Sequence, residues 1–149
     1  MTDQSMTSQT LTKSVAPGLL RRLGAIFYDS LLLTALVFVA TAAITLPLGN
    51  PSGLWLLFFQ IFLFEIIPLV FFCWFWISGG QTLGMRAWRL KLVSMEGQPV
   101  DWRQALKRHF AAILSLLVFG LGFLWIVFDS DKLAWHDRLS GTRLILIKN

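Results

Sequence analysis

The stretch "LLRRLGAIFYDSLLLTALVFVATAAITLPLGNPSG", residues 19–53, decides the fold. Two arginines open an apolar run from Leu23 to about Leu48. Pro47, Gly49, Asn50 and Pro51 end it, residues that break helices and turn the chain. A second run, Leu54 to Ile77, follows at once. Each is long enough to cross a bilayer, the second with some tilt. Backbone groups in lipid need partners within their own segment, so two crossings joined by so short a turn form an antiparallel helical hairpin.

The composition agrees. Of 149 residues 56% are hydrophobic and 14% charged, and mean hydropathy is +0.67. A soluble domain of this size exposes more charge, so the chain reads as an integral membrane protein. Nothing resembles a linker between two cores. Residues 19–149 are read as one transmembrane domain behind a polar tail, residues 1–18, expected to be disordered. The first apolar run is too long for a cleavable signal and contains Asp29, so it is expected to stay as an anchor.

Charge sets the orientation. The segment 78–109 holds six Lys/Arg and the 48–53 turn none, while the N-terminal side adds three. The positive-inside rule then predicts a multi-pass membrane protein with the N-terminus and the 78–109 loop cytoplasmic and the 48–53 turn facing outward. Trp55 would mark the outer interface, and Trp74, Trp76, Trp88, Trp102 and Trp135 the inner one. The basic residues flank apolar runs instead of forming one stripe, so the expected partner is the bilayer and not nucleic acid. Cys73 is the only cysteine, lies in "FFCWFW" and reads as a small core hydrophobe.

Within the basic loop, "RLKLVSM" (89–95) alternates as a short strand does, and "TRLILIKN" (142–149) offers a second. Asp101, with Gln104 at the capping-box position, opens a helix through "WRQALKRHF". The last apolar run, Phe110 to Phe128, could be a third span. That would leave Lys132, Arg138, Arg143 and Lys148 on the far side and separate the two strands. A re-entrant helical hairpin turning at Gly120 and reaching roughly 15 Å deep keeps them together and is the favoured reading. The expected fold is therefore an all-α membrane protein. Two full transmembrane helices form an antiparallel hairpin, a third apolar segment re-enters or spans, and a small two-stranded β element lies in the cytoplasm.

Two acids lie inside the apolar runs. Asp29 follows Arg22 by seven residues, roughly 10 Å along a helix on nearly the same face. An ionised aspartate there costs about 3 kcal/mol on insertion scales unless it is paired, so it should face protein. Arg22 and the returning C-terminal segment are its expected partners. Glu65 falls mid-way along the second run, with Pro68 three residues on. Mid-membrane acids are candidates for handling protons or cations. Asp129, Asp131, His136 and Asp137 share no metal-ligand spacing, and no metal or other cofactor is expected. Asp137 would tie the C-terminal segment to the basic entrance of the first run. "GGQTLGMR" lacks the ending of a phosphate loop and reads as a sharp exit from the second span. No nucleophile–base arrangement suggests an enzyme.

Three blocks, "LLRRLGAIFYDSLLL", "GGQTLGMRAWRLKLVSMEGQPVDWRQALKR" and "LWIVFDSDKLAWHDRLSGT", together resemble the RDD family of small bacterial integral membrane proteins, over about residues 19–147. The family is named for an arginine and two aspartates. The resemblance implies Arg22 (or Arg21) as the arginine, Asp29 as the first aspartate and Asp137 (or Asp129) as the second. The family's glycine-lysine-arginine is Gly84-Met85-Arg86 here, so one cation is missing. Some members are linked to sodium/proton exchange, and others are fused to unrelated domains as membrane modules.

Two functions follow as expectations. In the first, a cation/proton exchanger carries Na+ or H+ on Glu65 and Asp29. Two full spans hardly enclose a pathway, so it would be a homo-oligomer. In the second, a non-transporting scaffold binds another membrane protein, with Arg22, Asp29 and Asp137 forming a structural lock.

Overall fold

A computed structural model describes residues 16–147. The expected disordered tail lies largely outside the described residues; of its end, Pro17 is fully buried.

Helix α1 runs Leu19–Leu48, so Arg21 and Arg22 lie in its first turn and not before it. Its hydroxyls are satisfied locally: Thr34, Thr41 and Thr45 each donate to the carbonyl four residues back, at 2.7–2.9 Å. Gly49 ends the helix at φ 77°, where its N–H donates to the Thr45 carbonyl at 2.9 Å. A left-handed stop of this kind favours glycine.

Helix α2 spans Leu54–Gly79. Its α-helical turns are interrupted by a π turn over Phe62–Ile66, just ahead of Pro68. A proline cannot donate to the carbonyl four residues earlier and clashes with it, and one extra residue per turn accommodates the defect. Both helices are long and apolar enough to cross a membrane. The most apolar 18-residue window of α1 has no buried residue and that of α2 has 11% buried. Such surfaces fit a membrane protein, since water around them would carry a large hydrophobic cost.

The packed part of the molecule lies at one end of the hairpin. After Gly80, at φ 71°, come α3 (Leu83–Ala87), β1 (Leu90–Ser94), α4 (Trp102–Leu117), α5 (Leu121–Leu124), α6 (Trp135–Ser140) and β2 (Thr142–Leu146). The expected strands pair antiparallel, with Leu90 opposite Leu146, Leu92 opposite Leu144 and Ser94 opposite Thr142. A two-stranded ribbon is marginal alone. Here Leu90, Leu92 and Leu144 enter one cluster with Trp76, Met85, Val100, Ala105 and Ala25. Ends of α1 and α2 thus supply the wall on which the ribbon rests. Asp101 caps α4 as expected: its carboxylate accepts from the Gln104 N–H at 2.7 Å, and the Gln104 amide oxygen accepts from the Asp101 N–H at 3.2 Å.

The last apolar run is not one straight helix. It begins as the far half of α4 and breaks after Leu117. It resumes as Leu121–Val127, comprising α5 and a 3-10 turn, at 106° to α4. The two glycines of "GLG" have separate reasons to be glycine. Gly120 turns the chain at φ 73°, and Gly122 packs so closely on Ser115 that a Cβ would overlap its hydroxyl.

Candidate functional site

At the packed end, three helices converge on Asp137. Its carboxylate is fully buried. Oδ2 accepts from Arg22 Nη1 at 2.7 Å and from the Ala134 N–H at 2.9 Å, and Oδ1 accepts from Arg108 Nη1 at 2.6 Å. Helix α1 brings Arg22, α4 brings Arg108 and α6 brings Asp137. Both arginines make further bonds. Arg22 Nη2 donates to the Lys132 carbonyl at 2.8 Å, and its Nε donates to the Pro17 carbonyl at 3.4 Å. Arg108 donates to the Thr142 hydroxyl at 2.8 Å and stacks over Trp76, 5.4 Å from the ring. One carboxylate between two guanidiniums leaves a net positive centre.

Burial alone would push the Asp137 carboxyl up, but the Arg108 and Arg22 charges outweigh it and hold it far below the usual carboxylate range. His136, next in sequence and also buried, is pushed down to about 3 by desolvation and by the Arg108 charge. It is therefore neutral at pH 7, with Nε2 3.7 Å from Asp137 Oδ1. Among the described residues, Asp137 is the only full counter-charge within the cluster.

Asp29 lies elsewhere. Its expected partner was Arg22 together with the returning C-terminal segment; instead, Oδ2 accepts from the Thr82 hydroxyl at 2.5 Å and Oδ1 from the Gly84 N–H at 2.8 Å. Two turns of helix separate Arg22 from Asp29, more than a short aspartate side chain bridges, and Arg22 reaches Asp137 instead. Thr82 also accepts from the Met85 N–H at 3.1 Å, capping α3. Gly84 is needed for the close approach, because a Cβ there would overlap the Ala25 carbonyl and lie 2.9 Å from Asp29 Cγ. "GGQTLGMR" is thus the receptor for Asp29 as well as the exit from α2.

Glu65 belongs to neither cluster. Its Oε1 is 3.2 Å from His109 Nε2, with the glutamate side chain 37% exposed and the imidazole 7%. The structure therefore does not bring Glu65, Asp29 and Arg22 into one group. Asp129 bonds Arg138 at 2.5 Å on the surface and accepts from the Leu133 N–H at 2.9 Å, which holds its carboxyl below the ordinary value. Arg138 also reaches Asp131, at 3.6 Å. Arg21 is exposed, with no ion pair among the described residues.

Arg108, Thr82, Gly84 and His109 carry geometry that the sequence reading did not assign. A signal for Arg108 and His109 existed in helical spacing. They stand three and four residues after Ala105, on the face that α4 buries.

The chain is similar to the uncharacterized protein RP437 of Rickettsia prowazekii (strain Madrid E), 34% identical over 67% of this chain and 57% of that protein. It is also similar to the uncharacterized protein YxaI of Bacillus subtilis (strain 168), 39% identical over 43% of this chain and 42% of that protein. The chain thus spans about half the length of the curated relatives it matches. No solved structure matches it. The RDD family profile matches residues 16–141, covering Arg22, Asp29, Asp129 and Asp137. The chain belongs to the RDD family.

Proposed function

We propose that this chain is a multi-pass inner-membrane module whose buried ionic lock fixes a cytoplasmic cap on a two-helix hairpin. Its role is to hold or recruit another membrane protein and not to carry ions. The basic 78–109 segment and the uncharged 48–53 turn support the orientation, with N-terminus and cap on the cytoplasmic side. One observation carries the functional choice: Asp29 and Asp137 are both engaged by donors of their own chain. A carboxylate that must bind and release a cation needs free lone pairs, and these have few. The exposed apolar faces of α1 and α2 offer area to lipid, to a second copy or to another membrane protein.

The second reading, cation/proton exchange by a homo-oligomer, is favoured by one feature: Glu65 is half-exposed on a π turn. Everted vesicles carrying the chain, energised to an acid interior, decide between the two. The module reading expects the proton gradient to survive addition of sodium. Collapse of the gradient with the natural chain, lost on Glu65→Gln, would overturn that reading and establish exchange.

A further inference from the structure

The exit of α2 is laid along the edge of β1 that β2 leaves free. Leu92 donates its N–H to the Gly80 carbonyl at 2.7 Å, and the Gln81 amide donates to the Leu90 carbonyl at 2.6 Å. The strand pleat turns Leu90 and Leu92 into the core and sends Lys91 to the opposite, exposed face. There the Lys91 stem lies over Gly80, with Cε 3.4 Å from the point a Cβ would occupy. Arg86, from α3, brings Nη2 to 4.0 Å from the corresponding point on Gly79. Arg143 shares this face of the ribbon. It pairs with Val93 while Lys91 pairs with Ile145, which makes Arg143 and Lys91 diagonal neighbours about 7–8 Å apart.

Among the described residues, Arg86, Lys91 and Arg143 have no ion pair and no side-chain hydrogen bond, and Arg143 Nε is shielded from water without an acceptor. The acids of the packed end are engaged elsewhere or stand apart. Asp101 caps α4, Asp137 is held in the lock, Asp129 and Asp131 face Arg138, and Glu96 makes no ion pair among the described residues. Like charges gathered on one face repel, so the patch is complementary to an anion. It also borders the apolar surface of α2. Trp74, 68% exposed, and Ile77 precede Gly79 on that helix, and Ser78, one turn beyond Trp74, is exposed as well. A tryptophan at the end of an apolar helix lies at headgroup level.

We propose that Arg86, Lys91 and Arg143 bind the phosphate of an anionic phospholipid, whose acyl chains start down α2 past Ile77 and Trp74. The Arg86 guanidinium offers a phosphate two parallel N–H donors, Lys91 supplies a mobile point charge, and the Ser78 hydroxyl is a further donor. A free phosphate would meet the cations alone, whereas a lipid meets the cations and the apolar step beneath them. A zwitterionic lipid carries its own ammonium beside the phosphate and gains less from uncompensated cations. The site rests on the membrane placement of α2 and not on the choice between module and exchanger. It is also independent of which face is cytoplasmic.

The test offers the full chain, purified in mild detergent, equal amounts of phosphatidylglycerol and phosphatidylcholine and counts the retained lipids by native mass spectrometry. Phosphatidylglycerol should be retained about tenfold over phosphatidylcholine. In the double variant Arg86→Gln, Lys91→Gln that preference should fall to about twofold or less. The control pair Arg103→Gln, Lys107→Gln removes two exposed charges of α4 outside the patch and should keep the preference. If the double variant unfolds at a lower temperature than the natural chain, Lys91→Gln alone is read in its place and should lose about threefold. Inorganic phosphate at the same concentration should not displace the lipid. Equal retention of the two lipids by the natural chain overturns the proposal. So does an equal loss in the control pair, which would reduce the attraction to diffuse surface charge. Displacement by inorganic phosphate overturns it as well, in favour of a free-anion site.

Discussion

The two ends of the molecule are held by different physics. Around Asp137, three helices meet through short, charged, fully buried hydrogen bonds whose partners are up to 115 residues apart in sequence. Along the hairpin beyond Asp29, α1 and α2 present apolar surface almost everywhere, and the side-chain contact named there with another helix is that of Glu65 with His109. Apolar faces set where the helices reside but accept many neighbours, because lipid tails and leucines are equally good company. Charged contacts accept one. The lock therefore defines the shape, and the hairpin defines the medium.

Breaking the lock gives the largest expected effect. In Asp137→Ala, Arg22 and Arg108 remain buried side by side with no counter-charge, a loss of about 3–5 kcal/mol for an uncompensated buried charge. Thermal unfolding in mild detergent should show a large drop. The double variant Arg22→Met, Asp137→Leu, which removes charge with comparable volume, should recover part of it. A single variant that unfolds like the natural chain would mean that the cap is held by apolar packing alone.

Asp29→Leu should cost less. It strands the Thr82 hydroxyl and the Gly84 N–H, at about 1–3 kcal/mol per unsatisfied group, while making α1 more apolar. Insertion into membranes should remain normal and the detergent-solubilised chain should unfold at a lower temperature. Gly84→Ala attacks the same contact from the other side. If both variants unfold at the natural temperature, the Asp29 contact is incidental to the fold.

How much of this was legible in the sequence follows the same division. Helices α1 and α2 could be read because every position in a long apolar run repeats the same message. The ribbon could be read from alternation in "RLKLV" and "TRLIL", and the start of α4 from Asp101 and Gln104. The link from Asp137 to the entrance of α1 was also within reach, because that entrance carries two arginines. Arg108 was hidden since orientation arguments count arginines as surface charges, and only a helical wheel places it beside Ala105. Thr82 and Gly84 were hidden for another reason. Glycine-rich turns announce a change of direction, and no local pattern says which distant carboxylate they will hold. Glu65 was visible as an anomaly, but its partner belonged to another helix.

A smaller effect separates the two regions by pH. His136 is held down to about 3 in the folded chain, against about 6.5 for an unhindered imidazole. The unfolded chain thus binds a proton between those values that the folded chain refuses. The stability contributed by the neutral ring is complete above pH 6.5 and is lost as pH falls toward 3. The slope is about 1.4 kcal/mol per pH unit. Asp137 is also held low in the folded state, but its contribution is lost only below the carboxylate range. Between about pH 6.5 and pH 5 the global unfolding free energy should therefore fall mainly through His136, and His136→Gln should flatten that limb while leaving the steeper loss below pH 4. If His136→Gln leaves the global slope unchanged, the buried imidazole is not what resists protonation, and the acid sensitivity of the fold must come from the carboxylates alone.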